Sequence, residues 1–233
     1  MPESFRLYNV PALKGAYMKF KNLLVGLLVG IICLPFMGFG EDLSALRQTD
    51  EQGAAEIQFK IGCGYYVGDG VPQDYKEAVK WYRLAAELGH AAAQYNLGCA
   101  YYAGNGVPQD YKEAVRWVRL AAEQGHADAQ DNLGYCYFTG TGIPQDYKEA
   151  VKWFRLAAEQ GLADAQCNLG SAYSVGNGVL QDYVQAYAWW NIAAAHGDEA
   201  AVKKRELILK IMTPTQIEEG QRLAREYASK FVK

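Results

Sequence analysis

Cysteine, histidine and glycine are the residues here whose chemistry could exceed packing. The 233-residue chain has five cysteines, Cys33, Cys63, Cys99, Cys136 and Cys167. In an exported protein such a set invites disulfides. Cys63 and Cys99 lie 36 residues apart at equivalent places of neighbouring segments. Packed helices are ~8–10 Å apart, whereas a disulfide wants Cα atoms within ~7 Å. Cys136 and Cys167 match neither that pair nor each other in register. The expectation is free thiols serving as small helix residues, partly exposed.

His90, His126 and His196 each stand beside a glycine that closes a helix, with no second ligand at metal spacing. They read as turn residues. No serine lies in a G-x-S-x-G elbow, and neither a Walker loop nor H-E-x-x-H occurs. The triplets Gly68-Asp69-Gly70, Gly104-Asn105-Gly106 and Gly140-Thr141-Gly142 follow helices rather than strands, the wrong context for a dinucleotide. The pairs Glu77/Lys80, Glu113/Arg116 and Glu149/Lys152 are surface pairs three residues apart. No catalytic set, metal or cofactor is expected.

The elements holding these residues repeat. Val107–Gly125, VPQDYKEAVRWVRLAAEQG, has near copies at Val71–Gly89 and Ile143–Gly161 and a worn copy at Val179–Gly197, VLQDYVQAYAWWNIAAAHG. Tyr75, Tyr111, Tyr147 and Tyr183 are 36 residues apart, as are Trp81, Trp117, Trp153 and Trp189. A fixed period of this size marks stacked repeats, each packing on its neighbours without a single deep core.

Each unit reads as two helices. Helix A of the second copy is predicted at Ala91–Ala103, with Ala93, Leu97, Ala100 and Tyr101 on one stripe. Gly104-Asn105-Gly106 stops it. Asp110 is an N-cap with Glu113 three residues on, the spacing of a capping box. Helix B is predicted at Tyr111–Gln124, turning Tyr111, Ala114, Val115, Val118, Ala121 and Ala122 inward. Gly62, Gly98, Gly134 and Gly170 fall mid-helix, where glycine costs ~1 kcal/mol relative to alanine. Their recurrence implies a helix B aromatic, Trp117 or its neighbour, pressed against bare backbone.

These residues resemble the Sel1-like repeat, a relative of the tetratricopeptide repeat. The pattern runs through Ala91, Ala93, Gln94, Leu97, Gly98, Tyr101, Gly104, Gly106, Val107, Asp110, Ala114, Trp117, Ala121, Ala122 and Gly125. The resemblance covers residues 54–197 in four copies. It implies an all-α fold, an α/α superhelical solenoid of four Sel1-like repeats, whose usual role is to hold proteins or peptides. Cysteine-rich secreted relatives pair cysteines within each repeat, and some are credited with binding or hydrolysing β-lactams. With one cysteine per repeat, this chain departs from that plan.

The ends differ from the repeats. Residues 41–53 read as an N-terminal capping helix closed by Gly53, and 198–233 as C-terminal capping helices. The last begins at Thr213-Pro214-Thr215-Gln216 and carries Ile217, Leu223, Ala224, Tyr227 and Phe231 on one face. Lys203–Arg205 reads as a solvated face. Ahead of the repeats, residues 1–40 read as a signal peptide with extra upstream residues, its start at Met18. Lys19 and Lys21 precede the apolar run Leu23–Leu34, then Pro35 and Gly38-Phe39-Gly40 at a cleavage site. This order predicts a periplasmic or secreted protein; left uncleaved, the segment is an inner-membrane anchor. Residues 1–40 carry +3 of a net charge of −3, so the remainder is −6. An acidic body argues against nucleic acid.

What remains is recognition. By resemblance to tetratricopeptide arrays, helix A lines the concave side. Its off-core stripe holds Tyr95, Cys99 and Tyr102, then Asp131, Tyr135 and Phe138, then Cys167, Ser171 and Ser174, with Asn96, Asn132 and Asn168 alongside. An amide both donates to and accepts from an extended peptide backbone, and aromatics supply contact area at low entropic cost. Two roles are open: a peptide groove floored by Tyr95, Asn96, Cys99, Tyr102, Asp131, Asn132, Tyr135, Phe138, Asn168 and Ser171, or asparagines that tie neighbouring helices together. The expected partner is a protein or peptide, the expected activity non-catalytic, and the alternative the β-lactam chemistry of the cysteine-rich relatives.

Overall fold

The structure is a computed structural model that describes residues 42–231. The segment read as a signal peptide, residues 1–40, lies outside these residues. Ten α-helices follow one another among them: α1 Asp42–Val67, α2 Tyr75–Glu87, α3 Ala91–Ala103, α4 Tyr111–Glu123, α5 Ala127–Thr139, α6 Tyr147–Glu159, α7 Ala163–Val175, α8 Tyr183–Ala195, α9 Glu199–Ile208 and α10 Pro214–Phe231. The chain is all-α. It divides into two compact units whose described parts are 42–109 and 110–231.

In the first unit α2 packs between α1 and α3. Gly53 lies inside α1 and does not end a helix there. Its φ is not positive and it has open space around it, so nothing forces a turn. In the second unit α4 to α9 pack in sequence order, each on the next.

The repeated residues do repeated jobs. Asp74, Asp110, Asp146 and Asp182 cap helix B, each side chain accepting from the backbone N–H groups two and three residues on. The capping box stays half-made. Glu77, Glu113 and Glu149 turn instead to Lys80, Arg116 and Lys152, and the Asp74 and Asp146 N–H groups donate to the Tyr65 and Tyr137 carbonyls. The link glutamines Gln73, Gln145 and Gln181 donate to the Tyr66, Phe138 and Ser174 carbonyls in the last turn of helix A. Gln94, Gln130 and Gln166 each donate over 3.1 Å to a carbonyl near the end of the preceding helix B, at Ala86, Ala122 and Ala158. Carbonyls left over at helix ends thereby find partners.

The mid-helix glycines confirm a packing need and name the partner. A Cβ on Gly62, Gly134 or Gly170 would come within 2.7 Å of a ring carbon of Tyr82, Phe154 or Trp190. The aromatic is the residue after the repeated tryptophan. Tyr111, expected inward, is 40% exposed at the start of its helix.

The last helix begins as the sequence predicts. Thr213 and Gln216 bond reciprocally, the Thr213 N–H donating to Gln216 Oε1 over 2.9 Å and the Gln216 N–H to Thr213 Oγ1 over 3.3 Å. Yet α10 packs chiefly on α8 instead of pairing with α9, so the 36-residue pattern stops there.

Candidate functional site

The predicted stripe splits by burial. Tyr95, Asn96, Cys99, Asp131 and Asn132 are buried; Tyr102, Tyr135, Phe138, Asn168 and Ser171 are half-exposed. Buried members cannot floor an open groove. Asn168 Nδ2 donates to Asp131 Oδ1 over 3.0 Å, joining α7 to α5. This contact gives Asn168 the tying role.

In the second unit this surface continues onto α9. Lys204 Nζ donates to Ser171 Oγ over 2.8 Å, and Ser171 Oγ donates to the Cys167 carbonyl over 2.8 Å. Lys204 also lies 6.0 Å from the Trp190 ring centroid, and Arg205 donates to Asn191 Oδ1 over 2.9 Å. The Lys203–Arg205 run is therefore not one solvated face. Lys203 alone is exposed, while the other two tie α9 to α7 and α8. Phe138 is packed edge-on against Tyr147, with centroids 5.1 Å apart.

Burial makes the remaining candidate groups chemically quiet. Cys63, Cys99, Cys136 and Cys167 are free and buried, where partial exposure was expected; helix packing covers them. Burial raises the Cys136 thiol to about 12 and the Cys167 thiol to about 11, the nearby Lys204 notwithstanding. Thiols held protonated are poor nucleophiles. His90 and His126 cap α3 and α5, each Nδ1 accepting a backbone N–H from Ala93 or Ala129. His90 Nε2 then points its proton at Glu56, 2.9 Å away. His196 contacts Gln166 Oε1 over 3.1 Å. Among the described residues no group of three His, Cys, Asp or Glu side chains is placed to hold a metal ion. Nor is any helix there long and apolar enough to cross a membrane.

The least expected group is Asp131, a carboxyl with almost no exposure. Burial drives its pKa up to about 7, against the lowering effect of the Asn168 bond, and Asp164 and Asp128 push the same way as burial. The sequence shows only that an acid stands where the neighbouring copies have Tyr95 and Cys167.

The Sel1 repeat profile matches this chain four times, over residues 55–90, 91–126, 127–162 and 163–198. The chain belongs to the Sel1 repeat family. Its Sel1 repeats also resemble those of solved structures. A protective antigen of uropathogenic Escherichia coli strains displaying an SLR fold is 36% identical with a TM-score of 0.72, over 91% of this chain and 45% of that one. A Sel1 repeat protein from Oxalobacter formigenes is 36% identical with a TM-score of 0.66, over 76% of this chain and 72% of that one. The chain thus spans under half the length of the first. Curated proteins give no match. Sel1 repeat proteins are generally solenoid scaffolds for protein interaction, and the fold is typically non-catalytic.

Proposed function

We propose that the chain is a non-catalytic scaffold of the bacterial cell envelope or exterior, holding a peptide segment of a partner protein against its helix A face. The supporting observation lies in the second unit. Half-exposed Tyr135 and Phe138 on α5 adjoin a polar line on α7 and α9: Asn168, Ser171 and Lys204. Aromatics offer rigid contact area, and the amide, hydroxyl and ammonium offer hydrogen bonds to a peptide backbone or its acids. The export signal read at residues 18–40 supports the location.

The test uses the Phe138→Leu variant, which keeps apolar volume and removes the ring face. A partner is first identified by bifunctional crosslinking in the native cell, and its affinity for purified protein is then measured. A loss of about tenfold or more with a melting curve close to wild type is expected. Unchanged affinity removes α5 from the binding surface and overturns the proposal.

A further inference from the structure

The fourth copy is worn on one face of helix B only, and the structure shows why. On α2, α4 and α6 that face carries three cations, i, i+4 and i+7, beside a leucine: Lys76, Lys80, Arg83 and Leu84, with Lys112, Arg116, Arg119 and Leu120, and Lys148, Lys152, Arg155 and Leu156, in register. The leucines are 44%, 36% and 45% exposed. On α8 the same four places hold Val184, Ala188, Asn191 and Ile192. Ala188 is fully buried and Ile192 is 5% exposed.

The cover is α10. Tyr227 stacks on Trp189 with centroids 4.8 Å apart and donates its hydroxyl proton to Gln185 Oε1 over 3.0 Å. Phe231 follows at 6.2 Å from the same tryptophan. Gly220 and Ala224, one turn apart, are both buried, and a Cβ on Gly220 would meet Tyr187 at 2.6 Å. Small residues let the two helices close up. The solvent face of a helix B is therefore a workable seat for another helix. Where the seat is neutral, the helix upon it has mixed charge: Glu218, Glu219, Arg222, Arg225, Glu226 and Lys230.

On α2 the seat is open. Lys76, Val79, Lys80, Arg83, Leu84, Gly106 and Val107 line a cleft of about 470 Å³. Its floor is apolar and its lining carries three cations, of which Lys80 pairs with Glu77 over 2.5 Å and Arg83 donates to the Tyr101 hydroxyl over 2.5 Å.

We propose that the solvent face of α2, and in the other unit that of α4 and that of α6, each by itself docks an amphipathic acidic helix of a partner protein, seated as α10 is seated on α8. A stripe of small and apolar residues rests on the leucine and valine floor, and glutamates or aspartates flank it against the lysines and arginines. Charge complementarity selects the acidic helix, and the apolar floor favours it over a plain polyanion.

The probe is a fluorescent 18-residue peptide with the sequence of α10 in which Arg222, Arg225 and Lys230 are replaced by glutamate. Anisotropy against the full chain measures its binding. One variant carries Lys76→Glu, Lys112→Glu and Lys148→Glu, placing acids in first helical turns where the helix dipole favours them. A second carries Leu84→Glu, Leu120→Glu and Leu156→Glu at exposed positions. Saturable binding that each variant weakens by about tenfold or more, with melting curves retained, is expected. Three results overturn the proposal: no saturable binding, binding that neither variant weakens, or polyglutamate binding as tightly as the peptide.

Discussion

Replacing Gly142 by alanine is expected to destabilise the protein by about 4 kcal/mol or more, because a left-handed backbone and a backbone collision act together. Its φ is +71°, and an added Cβ would stand 2.2 Å from the Tyr111 carbonyl oxygen and 2.6 Å from its carbon. That oxygen belongs to the first residue of α4 and cannot rotate aside as a side chain would. Gly140 is the internal control. Its φ is +77°, but the nearest atom to an added Cβ is 3.4 Å away, so alanine there costs only the conformational strain, about 1–2 kcal/mol. Urea unfolding followed by helical circular dichroism separates the two, read as a midpoint difference because repeat arrays need not unfold in one step. Equal losses at both positions would mean that the link of one copy does not rest on helix B of the copy before. Gly178 closes on the Tyr147 carbonyl at 2.1 Å and should behave as Gly142 does.

Asp131→Asn is expected to stabilise the protein at pH 8 and to change little near pH 4. The carboxyl has a usual value of 3.8 and is raised to about 7 by burial. Between these values the unfolded chain has released the proton while the folded chain retains it. The unfolded state therefore binds fewer protons, and stability falls as pH rises from about 4 to about 7, then levels off. The full span corresponds to about 4 kcal/mol of stability, fully present below pH ~4 and lost above pH ~7. An amide cannot ionise, and its oxygen can still accept the proton from Asn168 Nδ2. Thermal melts across this range should show the variant's advantage growing with pH. An advantage that does not vary with pH, or a variant less stable at pH 8, would show that Asp131 is solvated or that its charge is matched.

Much of this fold was legible because it is local. The 36-residue period, Asp110 at a helix start and Gly104 at a helix end need only neighbouring residues to act, and α3 runs Ala91–Ala103 as expected. The helix B start at Tyr111 holds too, with its end one residue short of Gln124. What escaped is what depends on distant chain. Spacing places Asn96, Asn132 and Asn168 on one stripe but does not say how far adjoining helices cover it, so the groove and the helix tie looked equivalent. Register alone could not choose between the repeated tryptophan and the residue after it, Tyr82, Phe154 or Trp190, as the aromatic over the glycine. The fourth copy read as worn because the helix that buries Ala188 lies outside the repeat, on α10. Asp131 read as an acid of the groove floor because burial, which residue type does not reveal, sets its behaviour.

The most direct measurement places a photoactivatable phenylalanine analogue at Phe138 and, separately, at Leu180, which is 90% exposed on a link. Both proteins are irradiated in the native cell and their adducts resolved by mass. A binding scaffold with its surface on helix A yields a discrete protein adduct from position 138 that position 180 does not give. The same pattern from both positions, or no adduct from 138, would contradict it.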